Sequence, residues 1–297
     1  MFLLKNKVDI LLNNNRGFKK KSKRKPWLLY SGVLLLAVLV IMVLGAPIIT
    51  HYNVDDYNPD EALKRPCRGH LFGTDRFGRD IFTRVLYGGR ITLAVSLIAL
   101  GSVVTIGVVI GIISGYAGGF FDAIAMRVVD SLLAFPTIII GIVIAGLFGP
   151  GLLNILIAVV STWWVVFARL VRGIVLQVKV EPSVEAAKAV GAHTLTIIWK
   201  EIIPKVIGPV VVLATLELGS LIISISALSF LGLGAQPPSP EWGAMLSDGR
   251  SYFLDAPYLM FFPGLMIFLS VLSLILIGEG LRDVLDPEMK SVRKTIK

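Results

Sequence analysis

Charged side chains are scarce in this sequence. Only 16% of its 297 residues are Asp, Glu, Lys or Arg, against roughly 25% in an ordinary soluble domain. Hydrophobic residues make up 55% of the chain, and its mean hydropathy is +0.79. This composition excludes a soluble globular domain of ordinary type and predicts a membrane protein.

Several chemical signatures are also missing. The single cysteine, Cys67, rules out an internal disulfide. No G-x-x-x-x-G-K-[ST] loop is present to cradle a phosphate, so ATP hydrolysis by this chain is not expected. Neither H-E-x-x-H nor G-x-S-x-G occurs, and His51, His70 and His193 lie far apart in the sequence. These absences argue against an intramembrane enzyme, and we predict neither a catalytic residue nor a metal site.

The positive charge is concentrated at one end of the chain. The net charge is +9, and residues 1–26 alone hold nine Lys or Arg against one acid, Asp9. A nucleic-acid-binding protein is one interpretation of such an excess. However, the basic residues lie beside hydrophobic segments, which is typical of signals that orient a membrane protein.

The first hydrophobic run follows this basic head directly. Residues 27–52 contain no Asp, Glu, Lys or Arg, and about 20 apolar residues are enough to cross the hydrocarbon core. A signal peptide is the alternative, but its apolar core is usually only 7–15 residues long. The run therefore predicts an uncleaved first span with the N-terminus in the cytoplasm.

Four more hydrophobic stretches follow. They cover residues 91–121, 131–168, 206–232 and 256–278. The second of them is too long for one helix, so Phe148–Gly151 is predicted to split it into two spans, and Pro136 is predicted to kink the first of these. We therefore predict an all-α polytopic protein with six transmembrane helices.

The polar residues around these stretches lead to further predictions. The 70–90 stretch is amphipathic and is predicted to lie along the membrane interface. Its Phe82, Val85, Leu86 and Tyr87 would face lipid, and its Arg79, Asp80, Arg84 and Arg90 would face water. Arg127 and Asp130 have the i,i+3 spacing of a helical ion pair, whereas Asp122 is expected to be solvated in a loop or at a helix start.

Three tryptophans lie within the four later hydrophobic stretches or between the last two of them. Trp242 follows a proline- and glycine-rich loop and is suited to the membrane interface. Trp163 and Trp164 precede the anchoring Arg169 and are expected to pack against lipid or a neighbouring helix.

A polar segment, residues 181–204, separates the fourth and fifth spans. Pro182 and Ser183 are residues that begin helices, and Glu185 falls in the first turn, where it suits the helix dipole. Gly191 is a natural left-handed stop, and Thr194 can cap a second short helix that closes before Pro204. Six bases against three acids between residues 169 and 205 predict that the segment is cytoplasmic, which agrees with the count of spans.

The spacing within this segment resembles the EAA loop of ABC-importer permeases. The residues that match are Glu185, Ala186, Ala187, Gly191, Ile203 and Pro204. The family more often has Leu-Pro where Ile203 and Pro204 stand, and several relatives carry a histidine at the position of Glu201. We call residues 181–204 the EAA segment. The stretches 70–90 and 228–246 resemble dipeptide, oligopeptide and nickel permeases of the C type.

The resemblance implies a fold and a domain organisation. The implied fold is the type I transmembrane domain of an ABC importer. The implied divisions are a basic cytoplasmic N-terminus (1–26), a first transmembrane helix with an extracytoplasmic loop (27–90), the transmembrane domain with the EAA segment (91–283) and a cytoplasmic tail (284–297).

The resemblance also implies a function and partners. The chain would be a permease subunit that moves di- or oligopeptides across the bacterial cytoplasmic membrane by alternating access. Its partners would be a second permease, two ATPase subunits that bind ATP and Mg, and an extracytoplasmic binding protein. A nickel or metallophore importer of the same architecture is the nearest alternative. A secondary transporter is disfavoured because no clear inverted repeat is visible.

One ionisable residue interrupts the fifth span. Glu217 lies well inside residues 206–232, where a carboxylate is costly and by default indicates a function. It is therefore a candidate for the substrate pathway or for the interface with the paired permease.

Overall fold

All the secondary-structure elements that the structure assigns within residues 26–285, the range that the computed structural model describes, are helices. The α-helices in chain order are α1 (Pro26–Leu44), α2 (Ala46–Ile49), α3 (Ile81–Ala117), α4 (Gly119–Leu133), α5 (Thr137–Phe148), α6 (Leu152–Val178), α7 (Pro182–Ala189), α8 (Thr194–Ile197), α9 (Ile203–Phe230), α10 (Trp242–Gly249) and α11 (Tyr258–Leu285). The predicted all-α class is confirmed. The predicted end segments, 1–26 and 284–297, fall almost wholly outside the described residues.

The helices provide the predicted number of spans. Within the described range, five helical runs are long and apolar enough to cross a bilayer: α1, α3, α6, the run that ends with α9, and α11. Helices α4 and α5 meet at a bend of 87°, and counting this pair as one broken span gives the predicted total of six. The break falls at Pro136, which lacks an N–H group and disfavours helix at the residue before it. The predicted kink is therefore a sharp bend between two helices.

Helices α3 and α6 pack closely along a glycine stripe. Gly107, Gly111 and Gly115 recur every four residues on α3 and face α6. A Cβ atom on Gly111 would lie 2.7 Å from the carbonyl oxygen of Ala168, so only glycine allows this approach. Van der Waals packing of this kind drives helix association in lipid, where no hydrophobic effect acts between helices.

One end of the bundle is closed by residues 50–80 and by residues 236–257, which include α10, and we call these two regions the loop cap. Trp242 lies at its centre with 0% of its surface exposed, and its indole N–H donates to the carbonyl of Val85 at 2.8 Å. The prediction of an interfacial Trp242 is therefore wrong. The neighbouring Glu241 is equally buried, accepts hydrogen bonds from Thr92 Oγ1 and the Ala244 N–H, and has its pKa raised by burial.

The predicted interfacial helix at 70–90 is also wrong. Residues 81–90 are the first turns of the long helix α3, and they are buried on both faces. Val85 packs inside the apolar core of the loop cap. Arg84, predicted to face water, is buried and donates to the carbonyls of Val54 and Pro238, each at 3.0 Å. A buried arginine can be retained here because two loop carbonyls accept from it and the carboxylates of Asp55 and Asp75 lie within 4 Å of its guanidinium group.

A buried histidine joins the loop cap to α3. The His70 ring nitrogens lie 2.9 Å from Asp80 Oδ1 and 3.0 Å from Glu61 Oε2. Asp80 in turn caps α3 by accepting from the Thr83 N–H at 2.8 Å. The pKa of the Glu61 carboxyl is lowered by hydrogen bonds from Lys64 and then from His70. These contacts give the start of α3 a fixed position.

Ion pairs join α4 to α6 at the other end of the bundle. Asp122 accepts two hydrogen bonds from Arg172, at 2.5 and 2.7 Å, and a third from Ser114. Asp130 pairs with Arg169 rather than with Arg127. Asp122 lies at a helix start, which is one of its two predicted positions, but it is paired rather than solvated, and the predicted Arg127–Asp130 pair is wrong. The pairs form across helices because the packing of α4 on α6 brings together residues that are far apart in sequence.

Replacement of the aspartate by asparagine is expected to cost more stability in the Asp122–Arg172 pair than in the Asp130–Arg169 pair. Asp122→Asn weakens a half-buried two-bond pair, and charged hydrogen bonds of this kind contribute about 1.5–3 kcal/mol. Asp130→Asn weakens an exposed pair, for which less than about 1 kcal/mol is expected. We expect the melting temperature of the purified complex to fall by several degrees in the first variant and by little in the second. Equal shifts would contradict the assignment.

Candidate functional site

The EAA segment begins with a short helix whose start is set locally. Glu181 is the N-cap of α7 and Pro182 is its first residue, where a missing N–H group costs nothing. Glu185 lies in the first turn, as predicted, beside the positive end of the helix dipole. Ser183, predicted as a residue that begins the helix, lies inside the first turn because Pro182 already occupies the first position.

Gly191 ends α7 in the predicted left-handed conformation, with φ of +76°. The Ala192 N–H donates to the Ala187 carbonyl and the Gly191 N–H to the Lys188 carbonyl, each at 3.0 Å. These two bonds form a Schellman motif, which satisfies carbonyls that the helix end leaves unpaired. A Cβ at Gly191 would meet nothing within 4 Å, so backbone conformation rather than space requires glycine here.

The second helix of the segment does not close before Pro204, contrary to prediction. It begins at Thr194 and continues through a π-helical turn, Ile198–Ile202, into the spanning helix α9. A proline ring clashes with the carbonyl four residues earlier in a regular α-helix. The wider π turn directly before Ile203 and Pro204 places that strain in a local bulge, so the helix is not broken.

The EAA segment has a buried face and an exposed face. Val184 is 0% exposed and packs with Ile197 and Ile202 in the apolar core that includes α3, α6 and α9. Ala187 packs against the same core from the edge. Glu185, Ala186 and Gly191 are exposed, as are Pro204 and most of the turn between the two helices. Among the residues that match the EAA loop, Ala187 therefore contacts the core. The exposed ones are Glu185, Ala186, Gly191 and Pro204.

Three large apolar side chains on the exposed face were missed by the sequence analysis. Val190, Leu195 and Trp199 are 84%, 69% and 68% exposed. They are the only large apolar residues of the EAA segment, within the described chain, that point away from the core. Hydrophobic residues inside a polar segment were the available signal. Their exposure makes this face of the segment a candidate surface for a partner.

Polar contacts tie the segment to the helix ends around it. Lys205 forms an ion pair with Glu181, which joins the start of α9 to the start of α7. Lys179 donates to the Tyr116 carbonyl at 2.6 Å, and the ammonium groups of Lys179 and Lys188 lie 5.6 and 5.9 Å from the Tyr116 ring centroid. These contacts connect the segment and its flanking residues to the ends of α3, α6 and α9.

Glu217 lies near the middle of α9, and its carboxylate faces α6. Its Oε2 accepts a hydrogen bond from the indole N–H of Trp163 at 2.7 Å. The side chain is half-buried. The structure therefore does not place it in the closed core of this subunit, and it does not bring Glu217 near the EAA segment. Trp163, assigned to packing alone, also carries a polar contact.

The fold is that of a multi-pass membrane protein in which a polar helix–turn–helix segment, with one buried and one exposed face, is attached to three spanning helices. Residues 107–291 match the family described as binding-protein-dependent transport system inner membrane component. The match covers more than half of the chain, and the chain belongs to this family. It is therefore a permease subunit rather than an enzyme, and its partners are ATPase subunits and a substrate-binding protein.

Curated proteins of similar sequence cover nearly the whole chain. The dipeptide transport system permease protein of Alkalihalophilus pseudofirmus is 43% identical over 275 residues, which are 93% of this chain and 90% of that protein. The glutathione transport system permease protein of Pectobacterium atrosepticum is 39% identical over 285 residues, 92% of this chain and 95% of that protein. The glutathione permease of Escherichia coli O1:K1 is 41% identical over 268 residues, 90% of this chain and 88% of that protein.

Proposed function

We propose that this chain is the permease subunit of an ATP-driven importer of di- and oligopeptides in the bacterial cytoplasmic membrane. The named substrates of its relatives, dipeptides and glutathione, are short peptides, and the relatives match over about nine-tenths of the chain. This supports a peptide substrate over nickel or a metallophore.

The two-faced EAA segment is the observation that carries the mechanism. Its buried face, anchored by Val184, attaches it to three spanning helices, and its exposed face presents Glu185, Ala186 and Val190. An ATPase that grips the exposed face and moves on nucleotide binding pulls those helices with it. Alternating access follows because the ATPase contact differs between the inward-open and outward-open states.

The proposed complex contains one copy of this permease, one copy of a second, different permease and two ATPase subunits. This chain pairs with a second permease, the ATPases bind ATP and Mg, and an extracytoplasmic protein delivers the peptide. Both termini lie in the cytoplasm, in agreement with the basic residues of the head and of the 169–205 region. Residues 91–283 form the transmembrane domain, preceded by the basic head, the first span and the loop region.

Uptake of a labelled dipeptide tests the substrate. We expect cells that carry the complete complex to accumulate the dipeptide, and cells that lack this subunit to lose most of that uptake. Excess unlabelled dipeptide should compete, and excess nickel chloride should not. Nickel accumulation that depends on this subunit, without dipeptide uptake, would contradict the proposal.

A further inference from the structure

Only one of the hydrophobic stretches of the sequence is interrupted by an acidic or basic side chain. Residues 91–121, 131–168 and 256–278 hold no Asp, Glu, Lys or Arg, and residues 206–232 hold only Glu217. Glu217 is the fifteenth of 28 residues in α9, so it lies near the middle of the bilayer. A carboxylate at that depth is costly and needs a polar partner.

The polar partner is Trp163, which donates a hydrogen bond to only one of the two carboxylate oxygens of Glu217. It is the twelfth of 27 residues in α6, so both side chains lie at the same depth. Its indole N–H donates to Oε2 of Glu217 at 2.7 Å, and within residues 26–285 no partner is recorded for Oε1. The bond fixes the orientation of the carboxylate and leaves one oxygen to accept from something outside this subunit.

The surface around Glu217 is polar as well. Ser220 and Ser224 follow at i+3 and i+7, so they lie on the same face of α9. Ser220 is exposed, and Glu217 and Ser224 are half-buried. Polar groups within the bilayer usually face the bundle interior or a water-filled cavity rather than lipid. This face is therefore better suited to border a polar space than to face lipid.

We propose that Glu217 and Trp163 receive the protonated α-amino group of a peptide as it crosses the membrane. The inference rests on the proposed function and deepens it. A primary ammonium offers three donors and one positive charge, which complement the free Oε1. The adjoining indole ring adds a cation–π attraction, which is strongest for tryptophan. Every peptide with a free N-terminus carries this group, whatever its side chains.

The test follows the peptide itself inside the assembled complex. A dipeptide with a free N-terminus and a photoreactive diazirine side chain is delivered by the binding protein to the complex of permeases and ATPases in nanodiscs. Vanadate arrests the complex during turnover, and mass spectrometry maps the cross-links. We expect adducts on α6 and α9 close to Trp163 and Glu217.

Three variants separate charge from packing. Glu217→Gln keeps the shape but not the charge, and we expect these adducts and dipeptide transport to fall about tenfold or more, since a charge-assisted hydrogen bond is lost. Glu217→Asp keeps the charge, and we expect it to retain both within about threefold. Thr215→Val is the control, because Thr215 lies on the opposite face of α9 and bonds only to the Val211 carbonyl.

The outcomes separate this inference from the proposed function. Adducts that are unchanged in Glu217→Gln, or that arise only on other helices, would overturn the inference. Dissociation of the second permease from the Glu217→Gln complex would also overturn it and assign Glu217 to the subunit interface. A wild-type complex that takes up no dipeptide at all would instead refute the proposed function.

Discussion

Replacement of Gly191 by valine is expected to lower ATP-driven uptake by about tenfold or more. Gly191 has φ of +76°, which costs an ordinary residue roughly 1–2 kcal/mol and a β-branched residue more. The variant relieves this strain by giving up the Schellman bonds of Ala192 and Gly191. The exposed turn then moves relative to the anchored helix, and the ATPase no longer meets the surface that it fits.

The Gly191 prediction is checked in proteoliposomes with the complete complex. Uptake and ATP hydrolysis are measured together, and the ratio of peptide transported to ATP hydrolysed is the main readout. Gly191→Asn is expected to retain more activity, because asparagine tolerates the left-handed conformation. Gly173→Ala is the control: this glycine of α6 lacks positive φ, and a Cβ there meets nothing within 4 Å. Normal uptake in Gly191→Val would remove the requirement for glycine.

Aspartate introduced at Val184 and at Val190 is expected to cause different failures. The two valines belong to the same segment, but Val184 is 0% exposed and Val190 is 84% exposed. Val184→Asp places a carboxylate in the apolar core, which costs several kcal/mol when it has no partner. We expect the segment to detach and the complex to lose both stability and transport. Val190→Asp leaves the core intact and is expected to weaken ATPase binding by about tenfold, the effect of about 1.4 kcal/mol.

Two measurements distinguish these failures. Thermal unfolding of the purified permease pair measures the stability of the apolar core. Co-purification of the ATPase subunits measures their binding to the permeases. We expect Val184→Asp to lower the melting temperature markedly, and Val190→Asp to leave it near the wild-type value while the ATPases are lost. Val190→Ala is a milder control that trims the side chain without adding charge. Loss of stability in Val190→Asp, or retained docking, would contradict the division into two faces.

Local features of the EAA segment were predictable because their causes are local. Pro182 fits only the first turn of a helix, and Gly191 adopts a conformation that few other residues tolerate. The prediction that a helix ends before Pro204 failed because it also relied on a local signal alone. As a local signal Pro204 ends a helix, but the apolar anchors Ile197 and Ile202 hold the chain in place, and the helix passes the proline through a π turn.

Pairings across helices could not be read from spacing. Arg127 and Asp130 have suitable i,i+3 spacing, yet Asp130 pairs with Arg169, and Asp122 pairs with Arg172, fifty positions away. Tryptophan is a residue type that favours the membrane interface, yet Trp242 is buried inside the loop cap. In each case the partner comes from another helix, so the contact depends on which helices pack side by side.

The sequence by itself determined the membrane class, the six spans, the bend at Pro136 and the helix–turn–helix signals of the EAA segment, since hydrophobicity and backbone preference act over a few neighbouring residues. Only the tertiary structure decided which face of that segment is anchored, that Arg84 and Trp242 are buried, and that Trp163 binds Glu217. These features depend on groups brought together from distant parts of the chain, and packing places them.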